Sequence, residues 1–231
     1  MRVVVRTFSE LCVTVGAVIV LFVVHVLFWT GVQADRVMGD QIDELHDRWD
    51  RQSVSPGTGT GAGPGANASA PPAPYRSGRP FAVMYIPRLG STWNKPVLEG
   101  TATGTLKKGL GHYAGTARLG QSGNFSVAGH RRTYGDPFKD FPELRRGDAV
   151  VLTDGTTWFT YRIDKGPYKT VPSDVEVIDA VPRKSGYTRP GRYLTLTTCD
   201  PEWGHSHRLI VWAHLDSTQP VEAGEPRALR R

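Results

Sequence analysis

Residues 193–215 read YLTLTTCDPEWGHSHRLIVWAHL, and this stretch decides the fold. Tyr193–Thr198 is a run of strand formers, Asp200-Pro201-Glu202-Trp203-Gly204 is a loop, and Arg208–Leu215 returns as a second strand. Leu209–Ala213 is apolar throughout, which predicts a strand buried on both faces. Working outward, further strands are expected at Phe81–Ile86, Asn124–His130, Ala149–Thr153, Thr157–Ile163 and Val175–Ile178. Phe159, Tyr161 and Ile163 alternate with Thr160 and Arg162, the pattern of a half-buried strand. Turn residues separate these runs at Gly120–Gly123, Gly147-Asp148, Asp154-Gly155, Gly166-Pro167 and Pro190-Gly191. Only Asp136–Leu144 reads as a short helical turn. The 26 glycines and 17 prolines in 231 residues suit such a turn-rich β structure. Several short strands at close spacing predict an all-β, closed or nearly closed barrel over 81–217.

The rest of the chain divides by composition. Residues 1–10 carry Arg2 and Arg6. Leu11–Trp29 then has no formal charge over nineteen residues, long enough to cross a hydrocarbon core of ~30 Å. With acids following at Asp35, Asp40, Asp43 and Glu44, the charge bias predicts a transmembrane anchor at 11–30 with its N-terminus cytoplasmic. A cleaved signal would carry a shorter apolar region and a small-residue cleavage site. Over 31–52, Met38, Ile42, Leu45 and Trp49 form a narrow helical stripe, read as a membrane-proximal stalk, either a short helix or a solvated, partly formed one. Gly, Pro, Ala, Ser and Thr make up 23 of the 28 residues in 53–80, a disordered linker by composition. The last segment, 218–231, is poor in apolar residues and reads as a disordered basic tail. The formal net charge of +6 is not clustered as a nucleic-acid footprint would be.

The chemistry-bearing residues fall at strand ends. Two cysteines exclude a disulfide scaffold, and Cys12 lies in the apolar span, so Cys199 is a lone thiol outside the membrane. It sits where a strand meets a loop, at the rim of the expected barrel. A nucleophilic thiol needs a partner that assists ionisation and donates a proton to the leaving group. His130 closes another strand and has Gly129 beside it. Among the other histidines, His214 lies within the last strand and reads as structural. Cys199, His205 and His207 do not have the spacing of a structural zinc site. Arg208 opens the last strand, and two neighbouring strands joined by a short loop would bring it to the rim near Cys199, where positive charge could support a developing oxyanion.

Thr195-Leu196-Thr197-Thr198-Cys199, with Arg208 entering an apolar strand, resembles the TLxTC signature of sortases. Gly111–Ala117, Gly123–Arg131 and Phe138–Asp148 resemble the segments around that family's catalytic histidine, in the same order. The anchor, linker and domain order resembles membrane-bound sortases of Gram-positive bacteria, most of all the actinobacterial class E type. The resemblance implies an eight-stranded β-barrel with short helical turns behind a transmembrane helix, and a cysteine transpeptidase at the outer membrane surface. In it Cys199 is the nucleophile, His130 the general acid and base, and Arg208 the cation that orients substrate. Tyr113, Thr197 and Thr198 are candidate substrate-binding residues. The implied substrates are secreted proteins ending in an LAxTG- or LPxTG-like sorting signal, cut between Thr and Gly. The implied acceptor is an amine of a peptidoglycan precursor, lipid II. No cofactor, metal or nucleic acid is expected. The alternatives are another cysteine peptidase or acyltransferase, or a catalytically silent surface-binding module.

Overall fold

The computed structural model describes residues 2–53 and 74–230; side chains 2–5, 8, 9, 24, 26–30, 52 and 53 fall outside the described set. Eight strands close into one barrel. They are β1 (Pro80–Tyr85), β2 (Asn94–Glu99), β3 (Leu110–His112), β4 (Gly123–Ala128), β5 (Ala149–Thr153), β6 (Thr157–Thr170), β7 (Arg192–Asp200) and β8 (His207–Pro220). Their order around the barrel is β1-β2-β3-β4-β7-β8-β6-β5. Most neighbours run antiparallel, but β2–β3 and β4–β7 are parallel.

The alternation along three strands positions the site. On β4, β7 and β8, Phe125, Val127, Leu194, Leu196, Leu209, Val211 and Ala213 fill the interior with Met84, Leu110, Phe138, Tyr161 and others. The intervening residues therefore point outward: Asn124, Ser126 and Ala128; Thr195, Thr197 and Cys199; Arg208, Ile210 and Trp212. Little of this outer face is wet, because the connection from β6 to β7 lies across it. Val177 packs on Ile210 and Trp212, and its carbonyl accepts the Trp212 Nε1–H at 3.0 Å. The Asp179 carbonyl accepts from Asn124 Nδ2 at 2.9 Å. This cover explains why Leu209–Ala213 is apolar at every position.

Several expectations need correction. Val175–Ile178 is a 3-10 turn, not a strand; its β-branched residues cover the outer face and pair with no strand neighbour. β6 runs on to Thr170 through Gly166-Pro167, because register shifts between Ile163 and Tyr168 accommodate a proline that cannot donate to the ladder. β2 and β3 were not foreseen: Pro96 interrupts the strand pattern of β2, and β3 has only three residues. Residues 218–220 are not disordered. They continue β8, with Thr218, Gln219 and Pro220 opposite Phe159, Trp158 and Thr157, since backbone pairing needs no apolar side chains. The chain then returns so that Glu225, Ala228 and Leu229 lie by Tyr85, Pro87 and Trp93.

The N-terminal part is one helix, α1 (Arg2–Ser53). Its stripe is docked: Met38 and Leu45 are 2% and 0% exposed, and Ile42, Leu45 and Trp49 pack with Val83 and Tyr85 of β1. Arg48 Nη1 donates to the Pro80 carbonyl at 3.1 Å. The expected span at 11–30 lies partly outside the described side chains, and among the described residues no helix is long and apolar enough to cross a membrane. Of the expected linker, 54–73 lies outside the described residues. Its C-terminal end belongs to the barrel, where Tyr75 stacks on Phe81 at 3.7 Å and Ser77 bridges to Glu99.

Candidate active site

Strand register gathers the three rim residues. In the parallel β4–β7 pair, Ser126 faces Thr195 and Ala128 faces Thr197. The contact continues one step beyond the strand: Gly129 N–H donates to the Thr197 carbonyl at 3.1 Å, and Thr198 Oγ1 donates to the Gly129 carbonyl at 2.8 Å. In the antiparallel β7–β8 pair, Cys199 faces Arg208. Cys199 and Arg208 are thus register neighbours on β7 and β8, about 4.8 Å apart along the hydrogen-bonding direction, and His130, two residues past the Ala128–Thr197 pair, follows the β4 exit toward the same rim. All three have outward parity.

Burial is partial for each of the three, as a site open to substrate requires. The imidazole of His130 is held below its ordinary histidine value, first by burial and then by the positive charge of Lys107; its Nε2 is buried without a hydrogen-bond partner. The ring lies 5.2 Å from that of Tyr134. Arg208 is fixed from behind, with Nη1 donating to the His205 and His207 carbonyls at 3.0 and 2.9 Å. One carboxylate follows directly: Asp200 bonds Arg131 at 2.6 Å and Lys169 at 2.7 Å.

A cavity of about 90 Å³ opens beside Arg208. Val171, Val175, Val177 and Ile178 of the β6–β7 connection form one wall, and Ile210, Thr197 and Tyr113 form the other. Tyr113 and Thr197 share a hydroxyl–hydroxyl hydrogen bond of 2.9 Å. Two of the three candidate substrate contacts therefore meet at this cleft. Thr198 does not: it has inward parity, is 2% exposed, and its hydroxyl is spent on Gly129. Its place is in the wall that holds the rim together. The apolar wall was not anticipated, although Val171, Val175, Val177 and Ile178 were a visible β-branched cluster. His205 belongs to the β7–β8 loop, His207 opens β8 opposite Asp200, and His214 bonds Asp164 at 2.8 Å away from the rim. Among the described residues, no group of three or more His, Cys, Asp and Glu side chains is gathered as for a metal ion.

The barrel is similar to known proteins. The family model described as the sortase domain matches residues 84–216. Sortase SrtE1 of Streptomyces coelicolor is 35% identical over 97% of this chain, which spans 60% of that protein's length. SrtE2 of the same organism is 33% identical over 98% of this chain and 88% of its own length. Among solved structures, sortase E from Streptomyces avermitilis is 83% identical, with a TM-score of 0.65 over 68% of this chain and all of that one. The crystal structure of sortase E1 from Streptomyces coelicolor with a tripeptide in the active site is 38% identical, with a TM-score of 0.62, over 66% of this chain and 97% of its own.

Proposed function

The chain belongs to the sortase family, a family of transpeptidases, and from that premise we propose that it cleaves a C-terminal sorting signal and transfers the acyl product to a cell-wall amine. The observation that supports this reading is the register that pairs Cys199 with Arg208 and the parallel β4–β7 pairing up to Ala128–Thr197, which leads His130 toward the same rim. Cys199 Sγ attacks the carbonyl carbon of the Thr–Gly bond. The C–N bond breaks, His130 gives its proton to the departing glycine amine, and a thioester remains. An incoming amine then attacks the thioester, gives up a proton to His130, and expels the sulfur. Arg208 orients the peptide and supports charge on the carbonyl oxygen. Burial and Lys107 hold His130 toward its neutral form, which suits it to take a proton from the thiol and from the incoming amine.

The cleft supports an LAxTG- or LPxTG-like signal. Its valines and isoleucines suit an aliphatic side chain, and the Tyr113 and Thr197 hydroxyls can meet the peptide backbone. The acceptor in this reading is an amine of the peptidoglycan precursor lipid II, and the class E type is the assignment supported by the relatives. The anchor at 11–30 completes it. Leu11, Val13, Val18, Leu21 and Phe22 turn large apolar side chains outward along α1, each at least 59% exposed, which water disfavours and a lipid interior accepts. The N-terminus would then be cytoplasmic and the barrel outside the cell.

The test uses the full chain in detergent micelles, an LAxTG peptide and a soluble amine, with products separated by mass. Transfer to the amine by the wild type and none by Cys199→Ala is the expected result. Hydrolysis alone would replace the reading with a peptidase, and no turnover at all would replace it with a binding module.

A further inference from the structure

His130 and Cys199 are followed by charges of opposite sign: Arg131 after His130, and Asp200 after Cys199. These charges meet. Arg131 Nη1 donates to Asp200 Oδ1 at 2.6 Å, with the two side chains only 10% and 15% exposed. The other carboxylate oxygen accepts from Lys169 Nζ at 2.7 Å. Lys169 is a β6 residue opposite Leu209, next to the pairing of Thr170 with Arg208. Asp200 therefore ties together the segment carrying His130, the strand carrying Cys199, and the strand that flanks Arg208.

This tie is needed where it stands. Among the described residues, backbone hydrogen bonds between the β4 exit and β7 end at Gly129 N–H to the Thr197 carbonyl. Beyond that point the chain enters the loop 130–137, where Tyr134 and Asp136 have φ of 55° and 47°. The His130 ring is not held through Nε2, which has no hydrogen-bond partner. The residue's own carbonyl accepts from Phe138 N–H at 3.0 Å, which ties it to the loop's far end, so its position relative to the sulfur depends on how firmly this segment is fixed to β7. One residue before the pair, the Thr198 hydroxyl clamps Gly129; one residue after it, the Arg131–Asp200 bridge clamps the other side. The carboxyl of Asp200 lies below the usual carboxylate range because Lys169, and then Arg131, hydrogen-bond its charged form.

We propose that Asp200 is a positioning residue, which by bridging Arg131 and Lys169 holds the His130 imidazole within working distance of the Cys199 sulfur. This rests on the proposed transpeptidase reading. It extends that reading to a pair of residues that would not touch substrate.

Asp200→Asn, Arg131→Gln and the double variant are compared with wild-type full chain in the peptide cleavage assay. Loosening the pair by about 1 Å costs on the order of 100-fold in rate. The expected result is a kcat loss of roughly 10- to 100-fold for each single variant. KM should stay within about twofold, the double variant should be no worse than either single, and Asp200→Glu should recover part of the loss. Wild-type kcat in Asp200→Asn overturns the proposal, as does a loss that only tracks the folded fraction in thermal unfolding. A second readout needs no substrate: the rate of Cys199 alkylation by iodoacetamide at pH 6, read on the Cys199 peptide by mass. In the wild type, His130→Ala should slow it, because a neighbouring imidazolium stabilises the thiolate; in the Asp200→Asn background, His130→Ala should change it less than about twofold. If the wild type cleaves no peptide, the function fails while alkylation still decides the clamp. Equal dependence on His130 with and without Asp200, or none in either, overturns it.

Discussion

Gly129→Ala should damage catalysis more than stability, and the structure gives the reason. Gly129 lies between the last interior residues of the barrel and His130. A β-carbon there would meet Phe138 Cδ2 and Cε2 at 2.6 Å and Leu110 Cδ2 at 2.7 Å. Carbon atoms rest at about 3.5–4.0 Å, so roughly 1 Å must be found on each contact. Phe138 cannot yield it. The ring is fully buried, packed edge-on against Phe141 at 5.2 Å and stacked on Trp93 at 6.1 Å. The β4 exit is the softer partner and moves outward, carrying His130 with it and stretching the Thr198–Gly129 bond. Overpacking of this kind costs about 1–3 kcal/mol, whereas a 1 Å misplacement of a reacting group costs on the order of 100-fold in rate. Thermal unfolding and peptide cleavage on the same preparation separate the two effects. Gly104→Ala is the control, since a β-carbon there meets nothing within 4 Å and needs no left-handed φ. Wild-type turnover in Gly129→Ala, with a stability change below about 0.5 kcal/mol, would refute the placement of this glycine as the spacer behind His130.

Arg208→Lys should lower kcat/KM by on the order of 100-fold, because an ammonium cannot bond the His205 and His207 carbonyls and also present a planar fork to substrate; peptide cleavage kinetics measure it. Burial and Lys107 depress the His130 value in the folded state, so the unfolded chain binds the extra proton first. This contribution to stability is therefore intact above the unfolded histidine value near 6.5 and declines as pH falls from there toward the depressed folded value. Lys107→Gln should raise the His130 titration midpoint, followed by NMR, and move the acid limb of the cleavage rate to higher pH. Leu45→Ala removes a side chain with no exposure at the α1–barrel contact. A loss of about 2–5 kcal/mol for a buried leucine falls on that contact, so proteolysis within 31–53 should accelerate while the barrel's melting temperature stays nearly constant.

How much of this could be read from the sequence depended on the range of each interaction. The barrel was legible because its longer strands announce themselves locally, as in the alternation at Phe159, Tyr161 and Ile163. β2 and β3 were hidden because they exist only as partners: a proline-bearing hexapeptide and a three-residue strand pair because their neighbours are already in place. The stripe of Met38, Ile42, Leu45 and Trp49 was visible as a helix face, but what it covered was not, since Val83 and Tyr85 lie in another part of the chain. At the proposed site, Cys199, His130 and Arg208 stand out in the sequence as a lone thiol, a strand-end histidine and a cation before an apolar strand, each by residue type and local position. Tyr113 and Thr197 were named separately, and only the β3–β4 and β4–β7 pairings bring their hydroxyls together. The bridge from Asp200 to Arg131 spans 69 residues and leaves no periodic trace, since one surface-type acid and one surface-type base look alike wherever they occur. Such ties emerge only from strand register. A parallel pair advances both chains together, so the register that ends at Ala128–Thr197 leads both chains on in step, and the charge after His130 closes on the charge after Cys199 at 2.6 Å.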